Sequence, residues 1–132
     1  MIGILVMTHG SFSKELIRSC ELIAGKTESI QYLTLNHEDN IEKLNENMIQ
    51  SLNELDTGKG VLVLTDLLGG SPCNVATMNL KKNYNIQLLS GVNLPMLLEA
   101  MLTRESCTLE ELALKCKQAG YDGINHINEM LK

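Results

Sequence analysis

The sequence predicts an α/β fold: an open, mainly parallel sheet in strand order 2-1-3-4, with helices on both faces, making three layers. Three observations predict it. Short apolar runs alternate with stretches of helical periodicity along the chain, which implies parallel strands joined by right-handed helical crossovers. Two of the runs, Ile4–Met7 and Val61–Leu64, are apolar without interruption, the pattern of strands buried on both faces. Both run into turns rich in Gly and Ser, and a helical pattern starts directly afterwards. The first and third strands therefore belong in the middle, and their turns flank one crevice at the carboxyl edge of the sheet.

Each element has a local reason. After Thr8-His9-Gly10-Ser11, either Ser11 or Ser13 can cap a helix reaching Ala24, with Gly25 as its stop. Ile30–Leu35 is a second strand whose mixed polarity places it nearer an edge. Asp39-Asn40-Ile41-Glu42 resembles a capping box for a helix to Leu55, with Leu44, Met48 and Leu52 facing inward. After Val61–Leu64, Ser71 followed by Pro72 has the form of an N-cap with proline at the first helical position, and that helix reaches Lys82. Ile86–Leu89 is the fourth strand. Short and longer helices follow at Pro95–Leu102 and from the Thr108-Leu109-Glu110-Glu111 capping box to Gly120. Ile124–Ile127 is expected to form a short fifth strand at the sheet edge.

The totals narrow the function. A length of 132 residues suits one domain spanning 1–132. A formal net charge of −5 argues against a sequence-independent grip on nucleic acid or anionic membrane. No apolar run is long enough to span a bilayer and no basic-then-apolar leader opens the chain, so neither a membrane span nor a secretory signal is expected. Cys20, Cys73, Cys107 and Cys116 lack C-x-x-C spacing, which fits reduced thiols in a cytoplasmic protein and no structural metal site. With no Trp, one Phe and three Tyr, the chain offers little for stacking a flat cofactor.

The chemistry concentrates at the crevice. His9 follows the first strand, where an imidazole can exchange protons, bind metal or accept a phosphoryl group. Asp66 follows the third. It either orders its own loop or pairs with His9, and the switch point favours the pair. A carboxylate on one ring nitrogen fixes the tautomer and leaves the other nitrogen's lone pair free for attack. Phosphate would be held by Gly10, Ser11, Gly69, Gly70 and Ser71, where two helices start with unpaired N–H groups and glycine permits close approach. No Lys or Arg occurs from Met1 to Phe12 or from Val61 to Leu80, so the donors are neutral, which suits transfer better than storage. His37, in a polar loop, reads as solvated or capping, and His126 as structural or exposed. Cys73 reads as packing beneath its loop, with an activated thiol as the alternative. Leu67 and Leu68 read as either core or exposed contacts for a partner.

Thr8-His9-Gly10, Asp66 with Gly69-Gly70-Ser71-Pro72-Cys73-Asn74, and Gly91-Val92-Asn93-Leu94-Pro95-Met96-Leu97 together resemble the enzyme IIA domain of the mannose-type bacterial phosphotransferase system. The resemblance in element order covers essentially the whole chain. It implies that His9 takes a phosphoryl group on Nε2 from the phosphocarrier protein HPr and passes it to a IIB component during sugar uptake through a membrane IIC/IID permease. Asp66 would orient the ring and Ser71 would support the phosphate, with no cofactor. It also implies a homodimer in which the terminal strand, here Ile124–Ile127, pairs antiparallel with the other subunit's sheet. Where the family commonly carries aromatic residues, this chain has Leu67-Leu68 and Cys73. It resembles a free-standing IIA protein without a fused IIB domain. Two other readings share the topology: the phosphotransferase subunit serving dihydroxyacetone kinase, in which Gly91–Met96 is not expected, and a flavodoxin-like cofactor module, which would want more aromatic residues.

Overall fold

The sheet of the computed structural model, which describes residues 1–82 and 84–132, holds four strands. They are β1 (Gly3–His9), β2 (Ile30–Leu35), β3 (Val61–Thr65) and β4 (Ile86–Leu89), all parallel, in the order β2-β1-β3-β4. The helices are α1 (Phe12–Ala24), α2 (Ile41–Leu55), α3 (Ser71–Leu80), α4 (Leu94–Thr103), α5 (Leu109–Asp122) and α6 (Ile127–Met130), with a 3-10 turn at Arg104–Ser106. Strand order and parallel pairing are as the apolar pattern predicts.

Side-chain alternation sorts the core into two halves. On β1, Ile4 and Val6 pack with Leu16, Ile17 and Cys20 of α1 and with α4 and α5, while Leu5 and Met7 face Leu44, Met48 and Leu52 of α2 and Val75 and Ala76 of α3. Every residue from Ile4 to Thr8 and from Leu62 to Thr65 is fully buried, hence the unbroken apolar runs. β2, at an edge, leaves Tyr32 exposed. The cysteines are all free, and burial pushes the thiols of Cys116 and Cys20 up to about 12 and about 11, so both stay protonated and inert at neutral pH.

Three local expectations need correction. Within the single chain Ile124–Ile127 pairs with neither β2 nor β4: Ile127 opens the short helix α6, with Met130 N–H donating to the His126 carbonyl at 3.2 Å. α5 does not stop at Gly120 but continues to Asp122. Gly120 is a packing glycine, since a Cβ there would lie 2.9 Å from Met96 Cε and 3.3 Å from Asn93 Oδ1. Gly70, not Ser71, is the N-cap of α3, and the helix ends at Leu80.

At the amino edge of the sheet, buried Arg104 donates to the carbonyls of Ile2, Ser29 and Glu28 and to Thr27 Oγ1, joining the start of β1 to the turn before β2. Its partners are dipoles rather than a carboxylate, so its forked geometry matters as much as its charge. Arg104→Met is expected to cost about 3 kcal/mol in chemical denaturation by orphaning buried acceptors, with Arg104→Lys recovering only part. A loss below ~1 kcal/mol would show that the clamp contributes little.

Candidate active site

Register builds the site. His9 is the last residue of β1, and Met7 pairs with Thr65, the last residue of β3, so Asp66 emerges beside His9. The two strands send their helices to opposite faces, α1 to one core and α3 to the other, which opens the crevice between them. The carboxylate closes it from below: Asp66 Oδ2 lies 2.8 Å from His9 Nδ1 and accepts the His9 backbone N–H at 3.0 Å. An ionised carboxylate only accepts, so this geometry assigns the ring proton to Nδ1 and leaves the Nε2 lone pair uncommitted. The imidazole is about half exposed (48%), and the carboxylate is mostly covered (17%). Asp66 Oδ1 is buried with no hydrogen-bond partner among the described residues.

Two glycine turns bring backbone to the ring. A Cβ on Gly70 would sit 2.7 Å from His9 Cε1 and 3.4 Å from Nε2, so only glycine lets the chain pass the reactive edge this closely. Gly69 just before it has φ +82°, in the left-handed region. The turn is locked by Gly70 N–H donating to the Leu67 carbonyl at 3.1 Å and by the Asn74 side chain donating to the Gly69 carbonyl at 3.2 Å. On the β1 side, Gly10 N–H donates to the Leu35 carbonyl at 2.8 Å, tying the His9 turn to β2.

Neither expected serine cap operates. Ser11 and Gly70 occupy the N-cap positions of α1 and α3, and neither helix has a side-chain cap bond from its N-cap residue. The cap of α1 comes from Thr8, whose Oγ1 accepts the Ser13 N–H at 2.7 Å, while Ser13 Oγ donates to the Leu33 carbonyl at 3.0 Å. Thr8 was missed because it sits inside the strand; a threonine five residues before a helical amide was the available signal. Ser71 remains without a hydrogen-bonded side chain among the described residues.

An open cleft above the ring is lined by His9, Ser71, Leu35, Asn36, His37, Asp39 and Ile41. His9, Asp66, Gly70 and Ser71 are thus brought together. Gly10, Ser11 and Gly69 flank them in the chain, and of all these residues only His9 and Ser71 line the cleft. The lining contains no Lys or Arg, in keeping with neutral donors. The cleft wall supplied by His37 and Asp39 was not anticipated, although the pairing of His9 with Leu35 puts the loop after β2 beside the loop after β1. Leu67 and Leu68 are 61% and 80% exposed, so they form an apolar rim rather than core, whereas Cys73 is buried beneath the turn. His126 is exposed. Among the described residues no group of three or more His, Cys, Asp or Glu gathers to hold a metal ion, and no helix is long and apolar enough to cross a membrane.

Residues 3–117 match the family model described as "PTS system fructose IIA component". The chain is 33% identical over 124 residues to the mannose-specific EIIAB component of the phosphotransferase system of Escherichia coli, covering 93% of this chain but 38% of that protein. It therefore spans well under half of that relative. It is 29% identical over 132 residues to the fructose-specific EIIA component of Bacillus subtilis, covering 100% of this chain and 90% of the other. Among solved structures, the EIIA component from Streptococcus agalactiae superposes with a TM-score of 0.90 at 32% identity, over 98% of this chain and 99% of that one. With residues 3–117 matched by the family model, the chain belongs to the mannose-type enzyme IIA family of the phosphotransferase system.

Proposed function

We propose that this chain, as a single enzyme IIA unit over residues 1–132, carries a phosphoryl group on His9 between two protein partners in bacterial sugar uptake. The observation behind this reading is the 2.8 Å contact of His9 Nδ1 with Asp66, which leaves Nε2 free at the edge of an open cleft. In the forward step, the Nε2 lone pair attacks phosphorus of phospho-HPr. The new N–P bond forms as the donor's N–P bond breaks, and the electron pair returns to the HPr imidazole. Positive charge that builds on the His9 ring is offset by Asp66 through the Nδ1–H bond. The Ser71 hydroxyl and the free amides at the start of α3 receive the phosphoryl oxygens, with Ser11 on the opposite side and Gly69 shaping the turn, whereas the Gly10 N–H is already committed to the Leu35 carbonyl. The same step, run outward, hands the group to a IIB component that serves a IIC/IID permease. Neutral donors suit this reversibility, since fixed cations would deepen the phosphorylated state and slow its release.

Partner contact falls to exposed Leu67 and Leu68, in the turn after Asp66, with half-exposed Phe12 at the start of α1 after His9. A cytoplasmic homodimer completes the reading, supported by the exposed apolar side chains Leu114, Tyr121, Ile124, Ile127 and Met130 at the carboxyl-terminal end.

Incubation with enzyme I, HPr and labelled phosphoenolpyruvate is expected to label the wild-type chain with an alkali-stable phosphoryl group and to leave His9→Ala unlabelled. Label on the variant would reject His9 as carrier. Asp66→Asn keeps the hydrogen-bond geometry but removes the charge; stopped-flow transfer should slow by ~10² or more while the protein remains folded by circular dichroism. Unchanged kinetics would remove Asp66 from the mechanism. Gly70→Ala pushes a methyl against the ring, so transfer should fall by ~10² while the fold survives. A fully active Gly70→Ala protein would mean that the ring has room the geometry denies.

A further inference from the structure

We propose that His37, across the cleft from His9, donates to the phosphoryl group held on Nε2 and makes its retention depend on pH; this rests on His9 being the phosphoryl carrier. The placement is fixed by the sheet. Because His9 and Leu35 are register partners, the loop from Asn36 to Asn40 leaves β2 at the same level at which β1 ends. His37 and Asp39 line the same cleft as His9 and Ser71.

The loop holds its shape without using the imidazole. Asp39 Oδ2 accepts the Asn36 N–H at 2.6 Å, Asp39 N–H donates to the Asn36 carbonyl at 3.0 Å, and Asn40 Oδ1 caps α2 by accepting the Glu42 N–H at 2.7 Å. Asp39 is therefore turned back into its own loop. His37 is exposed and its ring makes no hydrogen bond with any described residue. A side chain that a tight turn presents but does not employ is free to meet what arrives in the cleft.

Charge gives it a task. A phosphoryl group brings roughly −1.5 to −2 charge at neutral pH. Apart from His9, the lining offers one side chain able to become a cation, and that is His37. The groups facing it are His9 from β1, Asp66 behind that ring from the β3–α3 turn, Glu38 and Asp39 on its own loop, and Lys43 from α2, which lines the adjoining cleft with Glu38 and Asp39. α3 contributes only the neutral Ser71 to the lining. The balance around His37 is acidic before phosphorylation and more so after it. Unlike a lysine, an imidazole titrates in the physiological range, so the added hold is switchable: present when His37 is protonated and lost as pH rises.

Linkage makes this measurable. If protonated His37 stabilises the phosphorylated state, phosphorylation must favour the protonated His37 ring by the same factor. Histidine ring resonances recorded before and after phosphorylation by enzyme I, HPr and phosphoenolpyruvate should show protonation of the His37 ring favoured about 3–10-fold in the phosphorylated chain, with the His126 ring unchanged. In His37→Gln the equilibrium with phospho-HPr should shift about 3–10-fold toward the unphosphorylated chain at pH 6 and much less at pH 8.5. In His37→Lys the wild-type value at pH 6 should persist at pH 8.5. A phosphorylated His9 with unchanged protonation of the His37 ring would overturn this proposal alone. Failure to phosphorylate His9 would overturn it together with the reading on which it rests.

Discussion

Everything at the crevice depends on one carboxylate oxygen accepting two bonds from the same residue. Asp66 Oδ2 receives both the backbone N–H and the ring Nδ1 of His9, at 3.0 and 2.8 Å. The first bond fixes where the chain turns; the second fixes how the ring points and which nitrogen is free. Hydrogen bonds to an ionised acceptor contribute about 1.5–3 kcal/mol, so the pair also tethers the ends of two central strands. Against this stands Asp66 Oδ1, buried without a partner among the described residues.

That contact exists only because of topology. Parallel order β2-β1-β3-β4 puts the ends of β1 and β3 side by side, and the opposite exits of α1 and α3 leave space above them. The supporting bonds come from farther away. Gly10 N–H reaches the Leu35 carbonyl of β2, and Val92 N–H reaches the Thr65 carbonyl next to Asp66. Asn93 then caps α4 through the Met96 N–H at 3.0 Å and donates to the Gly120 carbonyl at 2.9 Å. The Gly91–Met96 segment is thus a brace connecting β3, α4 and α5, not a part of the cleft itself.

How much of this the sequence disclosed follows the same physics. Strand order was legible because burial on two faces leaves an unbroken apolar run, and the cap at Thr108 because the capping box is strictly local; Thr108 Oγ1 accepts the Glu111 N–H at 3.2 Å as its spacing implies. The His9–Asp66 pair was legible once the switch point was located. What failed to show were uses of residues that look alike in one dimension. Gly120 as a packing glycine cannot be told from a helix stop without its neighbours Met96 and Asn93. Ile124 and Ile127, three apart, suit a helical turn as well as a strand, and with no strand alongside within the single chain the local bonds win. Thr8 was hidden within an apolar run, and His37 by a polar loop whose neighbour is set by register rather than by sequence distance.

The most direct test of the central contact is the tautomer of His9, read by long-range ¹H–¹⁵N correlation NMR on the unphosphorylated protein near neutral pH. The account predicts a proton on Nδ1 and a bare Nε2, with the phosphoryl group subsequently appearing on Nε2. A proton on Nε2 in the resting ring, or a phosphoryl group on Nδ1, would contradict it.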